Sequence, residues 1–237
     1  PNILSSSRTI TRGFASESPR PTIHFASISN ESDFEAQLQK AVLSELQGIA
    51  KHPSLYSTFS RLSKRYSDKL ESFSSLNAII RCCRLANDTS LARKLILDAD
   101  IDKLSSKSSD LDRVFFLKQV SELGQWKSEY DHTLNRLLAD STSLEAKVQL
   151  CHLLAVQNRK SNEFNGKIDA MIAKQQNPDF ENIVEYFWAC AKMRYRSPHM
   201  SRLKEEILKQ DLTPSQLSNV LWAYTSTNSA DEDFFKM

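Results

Sequence analysis

Turn-forming residues are scarce: the 237-residue chain has only 4 Gly and 7 Pro. Strand-rich folds need more of both, so the shortage points to helices. No run of uninterrupted apolar residues approaches the roughly 18 needed to cross a bilayer as a helix, so no transmembrane segment is expected. The four cysteines, Cys82, Cys83, Cys151 and Cys190, form no Cys-x-x-Cys pair and have no His at zinc-finger spacing. They read as reduced, buried thiols of an intracellular protein, and no metal or cofactor is implied. There is no glycine-rich phosphate loop and no His-Glu-x-x-His motif, and no His is matched with a nucleophile motif, so catalysis is not expected. Net charge is only +2. Arg8, Arg12 and Arg20 against Glu17 supply all of it, leaving the rest of the chain neutral on balance. A neutral body argues against bulk electrostatics as the sole driver of nucleic-acid binding, but leaves room for a local basic face.

What the sequence does have is 40% hydrophobic residues, arranged with a period. Ile79, Val114, Val148, Ile183 and Leu217 are spaced by 35, 34, 35 and 34 residues. Three residues further on lie Cys82, Leu117, Cys151, Tyr186 and Val220, and six further on Leu85, Val120, Leu154, Ala189 and Ala223. These offsets fall on one helical face. Second helices carry Leu134, Ile168 and Leu203 at a constant offset, while the Ile79 unit has Leu91, Leu95 and Leu97 earlier. An earlier unit is expected to start near Val42, followed by Leu55, Phe59 and Leu62. A single hairpin cannot bury such a stripe, but a stack of hairpins can. The fold class is therefore all-α, an α-solenoid of helical hairpins repeating every 34–35 residues, over 31–237 with an incomplete last repeat. Residues beyond Met237, or a partner, are expected to cover that end.

Capping signals set the boundaries. Ser32-Asp33-Phe34-Glu35 and Thr142-Ser143-Leu144-Glu145 read as capping boxes. Asn177-Pro178, Ser197-Pro198 and Thr213-Pro214 each put a capping residue before a proline at the first helical position. Helices are predicted over 33–51, 54–70, 74–86, 89–98, 109–123, 126–139, 142–157, 161–175, 178–194, 198–210 and 214–226, with another from about 230.

Residues 1–30 are Ser-rich, bear three Arg and one acid, and include Arg12-Gly13-Phe14-Ala15-Ser16. That is the composition of a mitochondrial targeting segment, or of an extended N-terminal arm.

The last two units place Trp188-Ala189 and Trp222-Ala223 at the same phase, 34 residues apart. The run Leu217-Ser218-Asn219-Val220-Leu221-Trp222-Ala223-Tyr224, followed by Asp231-Glu232-Asp233-Phe234-Phe235, resembles the repeats of organellar RAP-domain proteins. It is also similar to octotricopeptide repeats and FAST-kinase-like mitochondrial proteins, mainly over 178–237. The tetratricopeptide and pentatricopeptide signatures are absent. The resemblance implies a helical-repeat RNA-binding protein of the mitochondrial matrix, such as a ribosome component contacting rRNA and neighbouring proteins. The alternative is an accessory structural subunit of a respiratory or ATP synthase complex that binds protein only. Candidate RNA contacts are Arg159, Lys160, Lys192, Arg194, Arg196, Arg202 and Lys204, with Trp188 and Trp222 either stacking on bases or packing between helices.

Overall fold

The computed structural model describes Ile28 and residues 30–226, apart from 106, 142, 175–178, 202–204, 206 and 208–210. Among these residues there are twelve α-helices and no strand. They are α1 (Glu31–Lys40), α2 (Leu43–Lys51), α3 (Pro53–Tyr66), α4 (Phe73–Leu85), α5 (Thr89–Leu97), α6 (Ile101–Ser105), α7 (Asp110–Glu122), α8 (Ser128–Asp140), α9 (Leu144–Val156), α10 (Asn162–Lys174), α11 (Phe180–Met193) and α12 (Pro214–Ser226), with a 3-10 turn at Ser67–Lys69. None is long and apolar enough to cross a membrane. The N-terminal arm, Leu203, the Asn177-Pro178 signal and the helix expected from about 230 lie outside the described residues.

The periodic stripe makes the core. Ile79, Val114, Val148 and Ile183 are buried, as are Cys82, Leu117, Cys151, Tyr186 and Val220. These helices pack in series: α2 on α4, α4 on α7, α7 on α9, α9 on α11 and α11 on α12. Each partner helix lies on its own first helix, α3 on α2, α5 on α4, α8 on α7 and α10 on α9. The last anchor departs, because Leu217 is 38% exposed. Leu85 and Leu97 are also exposed, with Ile96 buried in place of Leu97.

Four successive first helices end in the same way. Asn87, Gly124, Asn158 and Arg194 all have φ between 55° and 67°. In each case the next residue's N–H closes back on the helix: Asp88 to the Cys83 carbonyl, Gln125 to Val120, Arg159 to Leu154 and Tyr195 to Cys190, at 2.8–2.9 Å. This left-handed cap satisfies carbonyls that the helix leaves unpaired and sends the chain back along its own helix.

Several boundaries differ from expectation. The predicted 33–51 helix is two helices, because Ala41 and Val42 are extended. A continuous helix would carry the Phe34/Leu38 stripe on to Glu45; the break presents Leu46 and Ile49 to the core instead. The hairpin expected near Val42 is α2 and α3, with Val42 as the N-cap of α2 and Phe59 and Leu62 buried, but Val42 and Leu55 themselves are exposed. The Asn30 side chain, not Ser32, caps α1 by accepting from Asp33 N–H at 2.9 Å. Glu35 instead accepts from Glu71 N–H and the Ser72 hydroxyl, both at 3.1 Å. Ser143 caps α9 one residue later than predicted, accepting from Ala146 N–H. Thr213 forms a full reciprocal box: it accepts from Gln216 N–H at 3.3 Å, and Gln216 Oε1 accepts from Thr213 N–H at 2.9 Å. The short α6 was not foreseen, since five residues carry no readable period.

Candidate nucleic-acid interface

The row of first helices carries a line of aromatic rings. His152 of α9 lies 4.6 Å from Trp188 of α11, and Trp188 lies 5.8 Å from Trp222 of α12. Lys192 Nζ sits 5.7 Å above the Trp222 ring, a cation–π contact. Trp188 is half-buried between its neighbours, whereas Trp222 is 40% exposed. Trp188 therefore packs, while Trp222 also offers ring surface to solvent. Identical phase in successive first helices brings the two tryptophans together.

Lys192, Arg194 and Arg196 are exposed and form no ion pair with a described residue. They lie at the end of α11, where the left-handed Arg194 turns the chain toward the loop. That loop is held from below. Asp169 of α10, itself buried, accepts from the hydroxyls of Tyr186 at 2.9 Å, Ser197 at 2.6 Å and Tyr195 at 2.7 Å. The two basic residues Arg194 and Arg196 thus alternate with Tyr195 and Ser197, whose side chains are tied inward.

The other candidates divide. Arg159 is engaged within the chain, pairing with Asp131 at 2.6 Å and lying 5.4 Å from the Trp126 ring. Lys160 is exposed. Arg202 and Lys204 fall outside the described residues.

A polar strip that sequence reasoning missed leads into the ladder. Lys118 Nζ donates to Gln149 Oε1 at 2.6 Å, joining α7 to α9 one turn before His152. A groove of about 430 Å³ opens on the other side of Lys118, lined by Arg81, Arg84, Phe115 and Glu122 among others. Arg84 pairs with Glu122 across it. Burial lowers the Lys118 ammonium's pKa, against the pull of Glu185 and Glu122. The signal available was Lys118 and His152 at one offset from consecutive anchors.

Burial, then the Lys118 charge, push the His152 imidazole down to about 3. Its 3.5 Å approach to Glu185 is therefore the contact of a neutral ring rather than an ion pair. Because the unfolded state binds this proton more readily, stability is complete above the ordinary histidine range and falls as pH drops below it. About 2 kcal/mol is expected to be lost from this group between about pH 7 and about pH 5. Urea titrations of the wild type and His152→Phe at both pH values check this: the variant, which keeps the ring contact, is expected to lose less. Equal losses would remove His152 as the cause.

The thiols are quiet. Burial raises Cys82, Cys83 and Cys190 to about 12, so none is an activated nucleophile near neutrality. Among the described residues, no group of three or more His, Cys, Asp or Glu side chains is placed to hold a metal ion.

No family model, curated protein or solved structure matches the chain.

Proposed function

We propose that the chain is a non-catalytic α-solenoid that binds RNA along its first-helix row, as an rRNA-contacting component of a mitochondrial ribosome. The serial packing of first helices, each with its own partner helix, supports the solenoid. One observation carries the RNA reading: Lys192 sits on the partly exposed ring of Trp222, close in sequence to the exposed Arg194 and Arg196, which form no ion pair with a described residue. An aromatic face accepts any base, and neighbouring cations take the phosphates. The mitochondrial setting rests on the composition of residues 1–30 and on the RAP-like resemblance of the last two units.

Trp222→Ala is expected to weaken binding of single-stranded RNA by about 1–3 kcal/mol, tenfold or so. Combined charge reversal of Lys192, Arg194 and Arg196 to Glu is expected to weaken it further at low salt. Filter binding of the full chain measures both. A wild type that retains no RNA at low salt rules the reading out.

The protein-only alternative draws on Phe115, Val156 and Leu217, which are over a third exposed on first helices and suit an apolar partner. Nuclease treatment of the native particle separates the two. Release of the chain supports RNA; retention in an RNA-free particle supports the structural subunit.

A further inference from the structure

We propose that α3 and α5 together form a second seat for the RNA backbone, one that reads no sequence, so that a bound strand extends from the tryptophan ladder to the opposite end of the described chain. The proposal rests on the RNA reading above.

The chain's neutrality hides two opposed blocks. Residues 51–97 hold nine Lys and Arg against three Asp and Glu, whereas residues 98–145 hold six against ten. Within the basic block, α3 carries Arg61, Lys64 and Arg65, and α5 carries Arg93 and Lys94. Neither helix contains an acidic residue. All five side chains are exposed, and none forms an ion pair with a described residue. Elsewhere some exposed cations pair, as Lys69 does with Glu31 and Lys107 with Glu71, and others such as Arg81, Arg136 and Lys160 form no ion pair with a described residue. What sets α3 and α5 apart is that neither helix carries an acid to offset its cations.

The two helices belong to consecutive hairpins. Each is the second helix of its hairpin, and the hairpins are joined through α2 and α4. Tyr56 of α3 donates to Asp88 at 2.8 Å, and Asp88 is the residue that caps α5. Lys64, two turns along α3, still bears on Asp88 electrostatically, so this cation lies on the side of α3 toward the start of α5.

Grouped, uncompensated cations raise the folded state's self-repulsion, so their concentration calls for an anionic partner. Three of the five are arginines, whose planar forks match phosphate oxygens. An anionic membrane suits the surface less well. Interfacial helices insert an apolar face, but here that face, Phe59, Leu62 and Tyr66, is buried in the core. The block sits on second helices and the ladder on first helices. The first helix α4, which carries α5, is four first-helix steps from α12, roughly 30–40 Å at about 8–10 Å each. A strand that reaches both must therefore be long and must cross from one helix row to the other.

The test uses the full chain and single-stranded RNA of about 30 nucleotides, with affinity measured against salt. Each phosphate contact contributes roughly 0.7 to the log–log slope. Arg61→Gln/Lys64→Gln/Arg65→Gln is expected to reduce the slope by about 2, and Arg93→Gln/Lys94→Gln by about 1.4. Trp222→Ala should weaken affinity with little change in slope. An oligomer of about 6 nucleotides should sense Trp222→Ala but not the block variants. Circular dichroism of the variants, whose substitutions are all on the surface, should match the wild type. Binding of the long RNA with an unchanged slope in both block variants overturns the second seat while leaving the ladder reading intact. Failure of the wild type to bind RNA overturns both. Displacement of the RNA by polyglutamate or by anionic phospholipid vesicles at equal charge concentration would mark the block as a site for those partners, and would also overturn the proposal.

Discussion

Replacing Asp169 with alanine lowers the unfolding free energy by about 2–4 kcal/mol, because it removes the charged acceptor shared by three hydroxyls, of which Tyr186 keeps the Asn165 carbonyl within 3.2 Å. The carboxylate is 5% exposed and accepts from Tyr186, Tyr195 and Ser197 at 2.6–2.9 Å. Tyr186 is fully buried and Ser197 nearly so, so water does not readily take the place of the lost acceptor. The same change frees the loop that presents Arg194 and Arg196, so RNA binding should weaken along with stability. Asp169→Asn tests the geometry. Its amide oxygen can take the place of Oδ1, which serves Tyr186 and Ser197, but its NH2 cannot accept from Tyr195. The loss for Asn should therefore fall between wild type and alanine. Urea unfolding at neutral pH reads both variants, and an alanine variant within about 1 kcal/mol of wild type would show the network to be dispensable.

That network spans Asp169 to Ser197 and has no sequence period, which is why it could not be read beforehand. The apolar stripe could. Val114, Val148 and Ile183 recur at a fixed interval because each meets the same pair of neighbouring helices, so burial repeats with the chain. Thr213-Pro214 placed the start of α12 correctly because a reciprocal cap is local chemistry. The left-handed caps share a backbone conformation rather than a side chain. Asn87, Gly124, Asn158 and Arg194 look unrelated in sequence, and only the asparagines and the glycine hint at positive φ. The ladder was half legible. Trp188 and Trp222 advertise themselves, but His152 one rung earlier reads as an ordinary helix residue until its neighbour is placed. The basic block of α3 and α5 was masked by averaging, since a net charge near zero says nothing about segregation.

Phe116→Ala should cost about 3–5 kcal/mol and, more tellingly, split the unfolding into two steps. Phe116 lies off the periodic stripe, two residues past Val114, and is 1% exposed. Its ring lies 4.7 Å from Phe73 of α4 and 6.0 Å from Tyr130 of α8. Tyr130 in turn meets Trp126 at 5.9 Å, and Arg159 covers that indole. Phe116 therefore ties α4 to the hairpin that follows it. In a stack where each hairpin touches only its neighbours, stability is a sum of hairpin and interface terms, and cooperativity survives while the interfaces are strong. A cavity at this junction weakens the main helix packing between α1–α5 and α7–α12. All three tryptophans, Trp126, Trp188 and Trp222, lie beyond it, so their fluorescence reports the second half alone, while far-ultraviolet circular dichroism reports both. In the wild type the two urea transitions should coincide; in Phe116→Ala they should separate. Phe116→Leu, which refills most of the volume, should restore coincidence. Coincident transitions in the alanine variant would mean that the α4–α7 junction is not where the stack's cooperativity is decided.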